Sequence, residues 1–227
     1  MQDATTTGES SGPGTAAPPD WAHVIRARLT GTEPRHARED WLVPGRFEPG
    51  GHLGSFPREP VPAAVLIPLV ERRELTMLFT QRATQLRNHA GQISFPGGRI
   101  EPTDAGPSAA ALREAREEIG LDARFVSVIG YLPDHVVVTG FRITPVVGFV
   151  RPGFELLLAP QEVADTFEVP VNYLFDPANH RLQRRRSSVT GEEVDFREIP
   201  FDGRNIWGAT AGMLLTLYRL CTGTEFS

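Results

Sequence analysis

Apolar positions change their period several times along the 227 residues of the chain. They run almost unbroken through AAVLIPLV (63–70) and ELTMLFTQR (74–82), which predicts two buried strands joined by a short charged turn at 71–73. FVSVIGYLP (125–133) and FRITPVVGFV (141–150) read as further strands, the second with a proline that predicts an edge or a bulge. Helical spacing appears at Trp21, Val24, Ile25 and Leu29, again from 107 to 119, and again near 206–220. In the last of these, Trp207, Ala211, Leu214, Leu215 and Tyr218 are able to face a core. The segment 160–177 reads as a loop with a short helix or strand, and 182–201 as a hairpin turning at Thr190 and Gly191.

Between these elements lie stretches with nothing to bury. Residues 1–19 are small, polar and rich in Pro and Gly, the composition of a disordered tail. Residues 31–62 read as a connecting arm, and 91–98 lead through FPGG into a loop. Strands mixed with helices, and no boundary after residue 60, predict a single α/β domain over 20–227.

Composition narrows the function classes. The net charge of −5 argues against general nucleic-acid binding. All 23 cationic residues are Arg, which excludes Schiff-base chemistry and a P-loop lysine. Cys221 is the sole cysteine, so no internal disulfide forms and a reducing compartment is expected, with the thiol a plain core or surface group. The N-terminus lacks the regions of a signal peptide, and the longest apolar run is too short and Pro-broken to span a bilayer. Cytoplasm without a membrane partner is the expectation, and the sequence leaves a homodimer open. G-x-G-x-x-G does not occur, and outside the polar tail nothing resembles G-x-S-x-G, so serine-hydrolase and dinucleotide-fold readings have no footing.

The stretch LREAREEIGL (112–121) carries the candidate chemistry. Glu114, Glu117 and Glu118 share one helix face close to the C-terminal end, where the dipole is negative and like charges repel. A bound cation resolves that conflict, and carboxylate oxygens suit magnesium or manganese. The six histidines, at 23, 36, 52, 89, 135 and 180, show no competing ligand spacing. The alternative is a solvated face softened by Arg113 and Arg116.

From Gly98 onward the segment resembles the Nudix box, G-x₅-E-x₇-R-E-U-x-E-E-x-G-U with U aliphatic. Arg113, Glu114, Ala115, Glu117, Glu118, Gly120 and Leu121 fill its places. Asp104 stands where the box has Glu, and eight residues rather than seven separate it from Arg113, so its expected role is loop structure. The resemblance implies a Nudix-type α/β/α sandwich with a mixed central β-sheet, and hydrolysis of a nucleoside diphosphate derivative by water and a divalent metal. It further implies Glu114, Glu117 and Glu118 as metal ligands, with backbone carbonyls of a Gly97–Gly98 turn nearby. Arg113 would orient a carboxylate.

Upstream, LFTQRATQLRNHAGQISFPGG (78–98) resembles the signature of coenzyme A diphosphatases, L-L-T-x-R-S-x₃-R-x₃-G-x₃-F-P-G-G. Phe79 replaces Leu and Ala83 replaces Ser. The implied reaction splits CoA, and as variants acyl-CoA or oxidised CoA, into 3′,5′-ADP and 4′-phosphopantetheine. Arg82 and Arg87 are the candidate phosphate contacts, against strand-edge salt bridging; Arg184, Arg185 and Arg186 are a second basic cluster that reads as a solvated face. An extra ligand or base is expected from a loop C-terminal to the box, where Glu162 competes with Asp165 and Glu168. A pyrophosphatase acting on ADP-ribose or NADH, and a non-catalytic Nudix sensing domain, are the competing functions.

Overall fold

The axis of the sheet is β1 (Val61–Glu71), the first of the unbroken apolar runs. The computed structural model describes residues 19–34, 60–85, 90–137, 140–186, 191 and 193–224. The tail through residue 18, most of the connecting arm, Arg87 and the turn residue Thr190 therefore lie outside the described residues.

β1 runs parallel to β7 (Phe141–Val150) and antiparallel to β2 (Leu75–Arg82) and β4 (Gly97–Arg99). β2 pairs with β1 only at Leu69–Glu71 and then departs, carrying β3 (Ile93–Ser94) on one side and β8 (Val163–Pro170) on the other. β4 fills the gap that this splay opens beside Ala63, Ala64 and Val65. On the far side of β7 lie β5 (Val126–Tyr131) and β6 (His135–Val137), completing an eight-stranded mixed sheet among the described residues.

Alternation along the strands divides the core into two layers. Ala64, Leu66, Val70, Leu78, Val146 and Val150 point toward α2 (Pro107–Ile119), which answers with Ala110, Ala111, Ala115 and Ile119. Ile67, Leu69, Met77, Phe79, Val147 and Phe149 point the other way, against α1 (Trp21–Leu29), α3 (Val171–Leu174) and α4 (Gly208–Thr222). The architecture is an α/β/α sandwich. Phe79 stands at the centre of an aromatic stack, 5.0 Å from Phe95 and 5.6 Å from Phe167 between ring centroids. A separate antiparallel sheet of β9 (Arg181–Arg186), β10 (Glu193–Phe201) and β11 (Arg204–Ile206) follows the expected hairpin.

Two expectations change. The segment 160–177 carries both a strand and a helix, with β8 leading directly into α3. Pro145 is on an inner strand, not at an edge. It falls between the part of β7 paired with β5, from Val146 onward, and the part paired with β6, up to Ile143. Its carbonyl accepts from Leu132 N–H across that gap at 3.0 Å. A residue's N and O point to the same side of a strand, so the missing N–H faces the same gap and no ladder bond is lost. The register irregularity lies in β5, between Val128 and Gly130.

Phe79 is fully buried, so Phe79→Ala is expected to lower stability by about 3–5 kcal/mol. Urea unfolding of the two proteins checks this.

Candidate active site

Pro107 at the first helical position and Gly120 in a left-handed conformation (φ +70°) bound α2 where the sequence predicts. Its acidic face meets β4. Gly97 N–H donates to Glu118 Oε2 at 3.2 Å, and Gly98 lies so close to the Glu114 carboxylate that a Cβ there would strike it. Glycine at 98 lets strand and helix approach in this way, whereas a Cβ at Gly97 would strike Ala64 and Val65 of β1. The expected turn at Gly97 and Gly98 is therefore a paired strand, and the group it offers Glu118 is an N–H rather than a carbonyl.

Arg113 holds the outer part of the face. Its Nε and Nη2 bond both oxygens of Asp104, at 3.1 and 3.0 Å, and Nη2 also reaches the carbonyl of Arg99 at 3.0 Å. Its Nη1 donates to Glu114 and to Glu117, each at 3.0 Å. The guanidinium hydrogen bonds and the Glu101 N–H hold Asp104 below the ordinary aspartate range, as its loop-forming role requires.

The three box acids differ in environment. Glu117 is exposed, whereas Glu118 is only 5% exposed. Burial pushes the Glu118 carboxyl up to about 8; the charges of Glu114 and Glu162 push the same way, against the Gly97 N–H and Arg82. Glu114 is raised as well, first by burial, with Glu117 and Glu162 adding to it and Arg113 opposing.

Of the three acids competing downstream, only one faces this cluster. Asp165 is bound to Arg204 at 2.6 Å, and Glu168 lies in a fork from Arg72 at 3.1 and 2.7 Å with Thr76 as a further donor. The Glu162 side chain has no hydrogen-bond partner among the described residues, and its charge acts on Glu114 and Glu118. Arg82, at the end of β2, acts on Glu118 from the opposite sign, and its Nε is buried without a partner among the described residues. Arg87 falls outside the described residues.

The NUDIX domain family matches residues 60–189. Relatives named uncharacterized Nudix hydrolase NudL are 40% identical over 158 residues in Enterobacter sp. strain 638 and 43% over 157 in Citrobacter koseri, each match covering 68% of this chain and 80% of the relative. The chain belongs to the Nudix hydrolase family. A solved Ap4A hydrolase from C. elegans is also similar, at 15% identity and TM-score 0.43, over 48% of this chain and 80% of that one.

This Nudix hydrolase is accordingly a pyrophosphohydrolase, and its family generally requires a divalent metal ion. The residues present fit one. Glu118 is a buried acid with a single N–H partner, raised first by burial and then by the charges of Glu114 and Glu162, and carboxylate oxygens are hard donors that suit such an ion. Among the described residues no three acidic, histidine or cysteine side chains converge as a ready ligand set. Arg113 draws Glu114 and Glu117 to one of its own nitrogens instead.

Several positions of the CoA-type signature have structural work. Thr80, 1% exposed, bonds the carbonyl and hydroxyl of Ser94 at 3.1 and 3.0 Å and staples β2 to β3. Gly91 has φ +71° in a turn, and Phe95 packs on Phe79. In the second basic cluster, Arg184 forks Asp195 at 2.6 and 3.0 Å and Arg186 bonds the carbonyl of Gly191, as a solvated face would. Cys221 is buried, which raises its thiol to about 11 and fits a core role. Asp134 escapes sequence reading altogether: it is 3% exposed, accepts from Thr144 at 2.7 Å and lies 3.6 Å from Arg142. No periodic pattern marks it, since its partner stands across a strand gap.

Glu118 titrates above its ordinary range in the folded protein, so its ionisation opposes folding. The metal-free enzyme is expected to lose stability as pH rises from the ordinary glutamate range through about 8. Glu118→Gln should flatten that decline and melt higher than wild type at alkaline pH. Thermal melts in chelator across this range are the measurement.

Proposed function

We propose that the enzyme hydrolyses the diphosphate of coenzyme A to 3′,5′-ADP and 4′-phosphopantetheine, with acyl-CoA and oxidised CoA as further substrates and magnesium or manganese as the metal. The observation that carries the reading is Arg82. It occupies the first arginine position of the CoA-type signature, and beside the acidic cluster its buried Nε is without a partner among the described residues. A planar guanidinium in that situation suits a phosphate oxygen.

Glu114, Glu117 and Glu118 would hold the cation. When bound it neutralises diphosphate oxygens and makes water more acidic. Arg113 bonds Glu114 and Glu117 and would keep both carboxylates within reach of a cation, while Asp104 anchors the guanidinium. Arg82 binds and orients a phosphate. Glu162, whose carboxylate has no hydrogen-bond partner among the described residues and acts on Glu114 and Glu118, accepts the proton of the attacking water.

CoA differs from dephospho-CoA by one ribose phosphate. A charge-assisted hydrogen bond to such a group contributes roughly 1.5–3 kcal/mol, or about 10- to 150-fold in kcat/KM. Kinetics on CoA, dephospho-CoA and ADP-ribose should rank CoA first, and Arg82→Ala or Arg87→Ala should erode that preference chiefly by slowing CoA. ADP-ribose as the best substrate would replace this reading with a broader pyrophosphatase. Full discrimination in both variants would return the arginines to structural roles. Separately, Glu117→Gln and Glu118→Gln are expected to lower magnesium-dependent turnover by orders of magnitude in folded protein; near-normal rates in both would remove the metal-ligand assignment.

A further inference from the structure

The segment between β7 and β8 is fastened to the acidic helix through its backbone. Leu157 N–H donates to the carbonyl of Ile119 at 2.9 Å, and Ala159 N–H to the carbonyl of Glu118 at 2.8 Å. These are the terminal carbonyls of α2, groups that a helix leaves without intrahelical partners. The side chain of Leu157 takes no part, being 80% exposed. Gly120 makes the approach feasible: a Cβ there would lie 2.8 Å from the Leu157 nitrogen and 3.1 Å from its oxygen.

The same segment is then tied to β2. Glu162 and Val163 N–H groups both donate to the carbonyl of Ala159 at 2.9 Å, which closes a tight turn. The carbonyl of Glu162 accepts from Ala83 N–H at 2.8 Å, one residue after Arg82, and Gln85 holds the carbonyl of Pro160 at 3.0 Å. Glu162 thus sits on a short bridge with one end on the catalytic helix and the other beside the arginine.

We propose that the clip formed by Gly120 and the N–H groups of Leu157 and Ala159 is the device that positions Glu162, so that Gly120 is a positioning residue as well as a helix stop. The proposal rests on the reading of Glu162 as the group that takes the water proton. Such a base must lie within hydrogen-bond reach of its water, and a displacement of about 1 Å can cost on the order of 100-fold. Backbone bonds to a helix end hold a loop to that tolerance where a solvent-exposed side chain would not. The clip's N–H dipoles also bring positive charge to the negative end of α2, next to Glu117 and Glu118.

Leu157→Pro removes one clip donor and alters an exposed side chain, whereas Leu157→Ser keeps the donor. With magnesium and CoA, or whichever substrate the enzyme prefers, Leu157→Pro should lower kcat by about 10- to 100-fold with little change in KM. Leu157→Ser should restore wild-type kcat. In a Glu162→Gln background Leu157→Pro should have almost no further effect, because both changes remove the same function. Amide exchange at Ala159 should quicken in Leu157→Pro and not in Leu157→Ser. If Leu157→Pro is poorly folded by its melting curve, Gly120→Ala runs the same cycle. Wild-type kcat in a folded clip variant overturns the proposal, as does full additivity with a severe Glu162→Gln. A silent Glu162→Gln overturns the reading of Glu162 itself and the proposal with it, and that pattern is distinct from the other two.

Discussion

A carboxylate buried at the C-terminal end of a helix faces the negative pole of the dipole with little water to screen it. Glu118 is in that position, and the surrounding structure is arranged around it. β4 enters the gap between β1 and β2 so that Gly97 can give it an N–H. β2 ends where Arg82 can add a positive field. Two loop N–H groups take the helix's last carbonyls. None of this brings Glu118 back to the ordinary glutamate range. The deficit that remains is one that a bound cation would offset.

Arg113 deals with the rest of the negative charge. One guanidinium engages Asp104, Glu114, Glu117 and the carbonyl of Arg99, which joins the box loop, the helix and β4 at a single point. Asp104 is below its ordinary pKa and Glu114 above it, so Arg113 serves the two acids unequally. It anchors on the loop and leaves the helix acids under-compensated. The geometry explains how a Nudix helix tolerates three acids near its end without becoming a neutral salt-bridge network.

Much of the fold was legible in local pattern. α2 begins at Pro107 and stops at Gly120 because proline fits a first turn and glycine a left-handed stop, and both effects are local. The buried strands followed from apolar runs, and the box followed from spacing on one helix. Pro145 was misread because a proline's cost depends on what lies opposite it, here a gap between β5 and β6. Thr80, Gly91 and Phe95 match the signature by position, and the structure gives them a staple, a turn and a stack.

By itself the sequence determined which side chains share a helix face and where α2 ends, since each depends on neighbours a few residues apart. Tertiary structure decided which downstream acid faces the box acids. Asp165 meets Arg204 and Glu168 meets Arg72, 39 and 96 residues away, while Glu162 is carried between α2 and β2 by backbone bonds. Those pairings are set by strand register and by the approach of two chain segments at Gly120. Sequence spacing carries no record of either, because the partners meet only after the sheet has formed.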